Sequence, residues 1–157
     1  MVGKIVPTII SNTTQETAFF QFMVPPGLQV LGTVLEANVT GSLSLKSGTR
    51  GTLAIKGKVD GNTITTVIIE LGSGSQMLNV GWRIHSIRTI RQIGVDGRIV
   101  GYLQWTSSEG LGNRISAPAD EFPVDTTTPT MFLMSAQFSI ADINNIFRAE
   151  QGHVSTR

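Results

Sequence analysis

Apolar and polar residues alternate along most of this chain, and glycine, proline and Asp-Gly pairs break the alternation at short intervals. A period of two sends successive side chains to opposite faces of a strand, so the pattern predicts half-buried β-strands. Lys4 to Ile10 is a first candidate. Ala18 to Val24 is a second, stopped by Pro25-Pro26-Gly27. Thr33 to Leu45 alternates through Leu35, Ala37, Val39, Leu43 and Leu45, and Gly41 in its middle suggests a bend or bulge. Ser47-Gly48-Thr49 turns the chain into Arg50 to Val59. Asp60-Gly61-Asn62 is a hairpin signal leading into Thr63 to Leu71, and Gly72-Ser73-Gly74-Ser75 reads as a flexible loop.

The central stretch runs from Trp82 to Trp105. Two β-branched runs flank Gly94-Val95-Asp96-Gly97, and Asp96-Gly97 predicts a tight hairpin turn, because glycine reaches positive φ without a steric penalty. Ile84, Ile87, Ile90 and Ile93 recur every third residue, which also suits a helix face. Four isoleucines and Thr89 would crowd χ1 in a helix, so a strand with a bulge near Ser86 is expected. Ser107 to Glu121 is loop-like, with a short strand around Arg114 to Ala117. Val124 to Thr128 pairs briefly. Met131 to Ile140 puts Phe132, Met134, Ala136, Phe138 and Ile140 on one face. Asn144 to Glu150 is the last strand, and Ser139 to Asn145 is the one stretch that could hold a helical turn. The expected architecture is a single all-β sandwich of about eight to ten antiparallel strands spanning 1–157, with 1–16 as an N-terminal extension and 151–157 as a frayed, flexible tail.

Composition narrows the chemistry. The 157 residues contain no cysteine, which excludes disulfides, thiolate zinc sites and thiol catalysis. The net charge of +1 is too small for broad binding of a polyanion, and the N-terminal residues form no basic arm, so nucleic acid is not an expected partner. No apolar run approaches the ~20 residues of a membrane span, and none near the start resembles a signal sequence. No membrane partner and no cofactor are expected. Asn12-Thr13-Thr14 and Asn38-Val39-Thr40 match the glycosylation pattern but read as turn and strand residues.

Candidate chemistry is sparse. His85 and His153 are the only histidines, no nucleophile elbow is present, and both read as surface residues. Asp120-Glu121 and Asp125 could serve glycoside chemistry or calcium, or simply be solvated. Arg83, His85, Arg88 and Arg91 form a basic stretch. On a strand, Arg83, His85 and Arg91 share a face and Arg88 lies opposite. These residues could meet a phosphate or a sugar carboxylate, or pair with acids nearby or across an interface. Trp82 and Trp105 could stack on sugars or anchor a core or interface.

Several segments, taken in order, resemble a widespread family of small virion proteins of phages and eukaryotic viruses. They are Pro26-Gly27-Leu28 with Gly32, Gly81-Trp82-Arg83, Gly94-Val95-Asp96-Gly97, Val124-Asp125-Thr126-Thr127, Gln137-Phe138-Ser139 and Ala141-Asp142-Ile143-Asn144-Asn145. The resemblance covers roughly Phe19 to Ala149. It implies a single jelly roll, similar to tumour-necrosis-factor-like heads, that assembles as a homotrimer or a larger shell with other virion proteins. The implied role is a non-enzymatic coat, head-decoration or spike subunit, found in the virion and assembled in the host cytoplasm. Asp96, Gly97, Asp125, Thr126 and Asn144 would be structural turn residues, with Asp125 accepting backbone N–H groups from the threonines after it. A charged fraction of 15% and apolar outward strand faces would suit burial between subunits. The alternative is a carbohydrate- or receptor-binding jelly roll, with a host-surface glycan meeting Trp82 or Trp105, Arg83 and the Asp120 to Asp125 loop.

Overall fold

The period-two pattern becomes two stacked antiparallel sheets. A computed structural model of the chain describes residues 4–5, 8–72 and 75–157, the first pair by backbone alone. Among these residues the strands are β1 (Lys4–Ile5), β2 (Thr8–Ser11), β3 (Thr17–Val24), β4 (Val34–Leu45), β5 (Thr52–Val59), β6 (Asn62–Glu70), β7 (Met77–Gln92), β8 (Gly97–Ser107), β9 (Asn113–Ser116), β10 (Phe122–Val124), β11 (Thr130–Phe138) and β12 (Ile146–Thr156). The smaller sheet has the order β1-β3-β11-β5-β6. The larger has the order β10-β8-β7-β4-β12-β2, with β9 also paired to β8. The fold is a β-sandwich, as the alternation predicts, and of the jelly-roll kind that the resemblance implies. The described residues hold twelve strands where about eight to ten were expected: the first candidate divides in two, and the brief pairings expected near 114–117 and 124–128 are strands in their own right, β9 and β10.

Several local expectations are corrected. The first candidate strand divides into β1 and β2, which join different sheets. Its residues 6–7, and residues 73–74 of the expected Gly72–Ser75 loop, lie outside the described residues. β12 runs on to Thr156 in register with β4, where a frayed tail was expected. Ile140 lies beyond the end of β11 and is exposed. The 139–145 segment is a turn, closed by Asn144 N–H donating to Asp142 Oδ1 at 2.8 Å. β7 carries no bulge at Ser86, and its register with β8 first shifts between Ile90 and Gln92. Ile87 simply faces outward while Ile84 and Ile90 face the core.

Two glycine positions show what the backbone demands. At the β5–β6 hairpin, Asp60 (φ 47°) and Gly61 (φ 82°) make the left-handed pair that a two-residue turn needs. At the β7–β8 turn the positive φ belongs to Gly94 (109°), not to Gly97. Gly97 starts β8 and is required for close approach, since a Cβ there would meet the Val124 carbonyl oxygen at 2.6 Å.

The core fills the space between the sheets. Its centre is a run of four rings. Trp105 stacks on Trp82 (5.4 Å), Trp82 on Phe147 (4.6 Å), and Phe147 tilts against Phe19 (5.1 Å). β3 can contribute both Phe19 and Phe20 because its ladder with β11 shifts between Met134 and Ser135, leaving Phe19 as the extra residue. Gly41 lets this stack approach β4: a Cβ there would lie 2.5 Å from the Trp82 ring and 1.9 Å from the Arg148 carbonyl oxygen. The irregularity expected at Gly41 lies on the partner strand, between Ala149 and Gln151 of β12.

Candidate site on the outer face of the larger sheet

Strand alternation sorts the larger sheet into an apolar inner face and a polar outer one. β4 turns Leu35, Ala37 and Val39 inward and Glu36, Asn38 and Thr40 outward. β7 turns Trp82, Ile84, Ser86 and Arg88 inward and Arg83, His85 and Ile87 outward. β8 turns Leu103 and Trp105 inward and Tyr102, Gln104 and Thr106 outward. In β12 the bulge after Ala149 inverts the parity. Phe147 and Ala149 face the core, whereas Gln151 and His153 face outward, opposite Thr40 and Asn38.

Register aligns these residues in rows across four strands. One row reads Gln104, His85, Asn38, His153. The next reads Thr106, Arg83, Thr40, Gln151. Neighbouring strands are about 4.8 Å apart, so each row spans roughly 14 Å. A hydrogen-bonded chain links the rows. Arg83 Nε and Nη2 donate to Asn38 Oδ1 (3.0 and 2.5 Å), and Asn38 Nδ2 donates to Glu36 Oε1 (3.3 Å). His85 Nε2 lies 2.9 Å from the same Glu36 oxygen, and the Tyr102 hydroxyl is 3.5 Å from His85 Nδ1. The hydrogen bond from His85, then that from Asn38, holds the Glu36 carboxyl below its ordinary range. Arg83 has no carboxylate within 4 Å among the described residues.

The face is shallowly hollowed. A depression of about 240 Å³ is lined by Asn38, Thr40, Arg83, Gln151, Gly152 and His153. A second, of about 450 Å³, shares Thr40, Arg83 and Gln151 with it and continues past Gly81 and Thr106.

Of the predicted contact residues, Arg83 and His85 lie within this group. Arg91 is exposed on the same side, toward the end of β7. Three others are corrected. Trp82 and Trp105 are buried in the aromatic stack, with indole N–H groups that find no acceptor among the described residues, so neither offers a ring face to a sugar or a partner; Trp82, 3% exposed, only borders the larger depression. Arg88 is 4% exposed between the sheets. It donates to the carbonyls of Ile87 (3.0 Å) and Tyr102 (2.5 Å) and to Thr65 Oγ1 (2.9 Å). Burial lowers its guanidinium to about 10, which leaves it cationic at neutral pH. The Asp120–Asp125 loop joins no site. Asp125 Oδ1 accepts the Thr127 N–H (2.9 Å) and hydroxyl (2.6 Å), the turn expected for it. Thr126 Oγ1 accepts the Gly94 N–H at 2.8 Å, tying this turn to the β7–β8 turn that carries Asp96. Among the described residues no group of three or more His, Asp or Glu side chains could hold a metal ion.

Glu36, Asn38, Tyr102, Gln104, Gln151 and the placement of His153 were not legible as a site. Each sits at a polar position of its own strand, but their grouping depends on register and on the β12 bulge.

No protein-family model matches the chain, and no curated protein does. Two solved structures are similar to it. One is an alginate lyase from Alteromonas sp. 272, at 11% identity and a TM-score of 0.37, over 98% of this chain and 82% of that one. The other is described as polysaccharide lyase family 18 aly-SJ02 r-CATD, at 12% identity and a TM-score of 0.34, over 98% and 83%.

Neither is a virion protein, and the expectation of a non-enzymatic coat, decoration or spike subunit is corrected accordingly: both solved structures found similar are named as lyases. The likeness, at these values, carries no activity across. The outward strand faces are mixed: the centre of the larger sheet presents arginine, histidine, amide and hydroxyl groups, and the smaller sheet binds Lys56 and Lys58 to Glu16, while Ile9, Met23, Ile68, Leu78 and Ile115 stand exposed elsewhere.

Proposed function

We propose that the outer face of the larger sheet binds an acidic carbohydrate. The observation that carries this is Arg83: exposed, oriented through a single oxygen of Asn38, and without an acid partner among the described residues. A guanidinium with free N–H groups beside an open depression is suited to a carboxylate, which it meets through two parallel hydrogen bonds. Gln151, Thr40 and Thr106 supply neighbouring donors and acceptors for sugar hydroxyls. Calorimetry with uronate-containing and neutral oligosaccharides tests the reading. Acidic oligosaccharides should bind, and Arg83→Ala should weaken them by about 10- to 100-fold, the worth of a charged hydrogen bond of about 1.5–3 kcal/mol. Equal binding of neutral and acidic chains, or none of either, would sink it.

A second reading, turnover of the bound sugar, is favoured by His85. Its ring lies between a carboxylate and a tyrosine hydroxyl, an arrangement that can hold and pass a proton. Incubation with acidic polysaccharides should then generate new chain ends. His85→Asn should stop this while leaving binding in place; intact polymer after prolonged incubation of the wild-type protein removes the enzymatic reading.

A further inference from the structure

We infer that Gly81 floors a second sugar subsite that takes an uncharged unit next to the acidic one, so that the preferred ligand is a mixed acidic–neutral glycan. This rests on the carbohydrate reading above and adds a specificity to it.

Gly81 occupies an outward position of β7, two residues before Arg83, and its carbonyl accepts the Ser108 N–H at 2.8 Å. Every other outward residue from Asn79 to Arg91 carries a side chain. The missing side chain leaves a gap in the polar layer, and the 450 Å³ depression lies over it. Nothing in the backbone requires glycine here. Its φ is not positive, and an added Cβ would meet only Ser108 Oγ at 3.6 Å, an ordinary contact. At Gly41, Gly97 and Gly101 the same Cβ would come within 2.6 Å of backbone oxygen. Gly81 thus opens space on the face without serving the fold.

The chemistry lining this space differs from that around His153. Hydroxyls from Thr40, Thr106, Ser107 and Ser108 surround it, and Glu150 stands on its β12 side. Glu150 is exposed and fixed by the Ser42 hydroxyl, which donates to Oε1 at 2.8 Å. A carboxylate accepts hydrogen bonds from sugar hydroxyls and repels a second carboxylate. The only cation on the lining is Arg83, at the border shared with the smaller depression, where it is committed to the acidic unit. A sugar resting on Gly81 therefore gains from being neutral.

Calorimetry with two tetrasaccharides tests this. One alternates glucuronate and N-acetylglucosamine; the other is tetragalacturonate. The wild-type protein should prefer the alternating chain. Gly81→Leu should weaken that chain by about tenfold or more with unchanged thermal stability, and Glu150→Gln should narrow the gap between the two ligands. Equal or tighter binding of tetragalacturonate by the wild type overturns the inference, as does full affinity in Gly81→Leu; in both cases the acidic-carbohydrate reading survives. Failure of the wild type to bind either chain overturns both together.

Discussion

Gly101 and Gly81 lie on adjacent strands of one sheet, yet alanine should have opposite effects at the two positions. At Gly101 an added Cβ would sit 1.9 Å from the Ile87 carbonyl oxygen and 3.0 Å from Arg88 Cα, both backbone atoms of the paired strand. Ordinary contact begins near 3.4 Å, so β7 and β8 must part locally by about 1.5 Å (3.4 less 1.9). That opening takes the adjacent ladder bonds out of range. Two lost bonds cost about 1 kcal/mol each, and the crowding a further 1–3 kcal/mol or so. Alanine returns about 0.5–1 kcal/mol by restricting the unfolded chain. The net loss at Gly101 is about 2–4 kcal/mol, or roughly 5–15 °C in Tm for a domain of this size. Gly81→Ala avoids the clash and keeps the gain, so it should be neutral or stabilising by about 0.5 kcal/mol. Urea unfolding followed by the fluorescence of the two buried tryptophans reads both variants. Unfolding free energies for Gly101→Ala and Gly81→Ala that agree within about 0.5 kcal/mol would refute the argument that steric approach, rather than strand propensity, fixes glycine at 101.

Two further outcomes follow from charges elsewhere in the sandwich. Arg88 is buried without a carboxylate partner among the described residues; Arg88→Met removes the desolvated charge but also its donors to Ile87, Tyr102 and Thr65, and should cost about 1–2 kcal/mol, while Arg88→Ala, which adds a cavity, should cost about 3–5 kcal/mol in the same urea assay; equal losses would show that packing of the side chain contributes nothing. Burial pushes the Glu16 carboxyl up, but hydrogen bonds from Lys56, Lys58 and Ser135 outweigh it and bring it down from 4.5 to about 2. Because the folded value is the lower one, Glu16 stabilises the protein above pH 4.5, and that contribution fades as pH falls toward 2. The stability gap between wild type and Glu16→Gln should therefore shrink across this range, and a gap independent of pH would contradict the assignment.

Alternation alone disclosed the sandwich. The inward faces of β4, β5, β8 and β11 were readable, because each repeats apolar residues at every second position over seven or more residues. Asp60-Gly61 was readable as a hairpin for a local reason, the positive φ at both positions. Asp96-Gly97 misled because the pair fills the last two positions of the turn, not its two central ones: Gly97 N–H closes it onto the Gly94 carbonyl at 3.1 Å, and Gly97 answers to Val124 rather than to φ. The basic residues of β7 were assigned correctly to faces, but only the structure shows that the inner one, Arg88, is sealed between the sheets. The tryptophans were the costliest ambiguity. Parity along β7 puts Trp82 opposite Arg83 and His85, and parity along β8 puts Trp105 with Ile99 and Leu103 and opposite Gln104, which already argued for the core. The outer-face group was not readable, since it needs the register of four strands and a one-residue bulge that turns Gln151 and His153 outward. A local pattern cannot announce a parity change in a segment whose polar composition reads as a tail.

The way the two sheets end has a consequence for association. Open strand edges invite a neighbour's strand, and proteins blunt them with short or covered ends. The larger sheet ends at the four-residue β2 and the three-residue β10. The long edge strand β6 is met by β9: Ser116 Oγ accepts the Thr66 N–H at 3.1 Å, so a strand anchored to the opposite sheet leans on the exposed ladder. On the larger sheet the cover is shorter: among the described residues β2 pairs with β12 only from Ile146 to Ala149, and the ladder from Gln151 to Thr156 stays open on that side. Templated strand addition is therefore hindered at β6 and directed to the far half of β12, where an extended peptide should dock if it pairs with this sandwich at all.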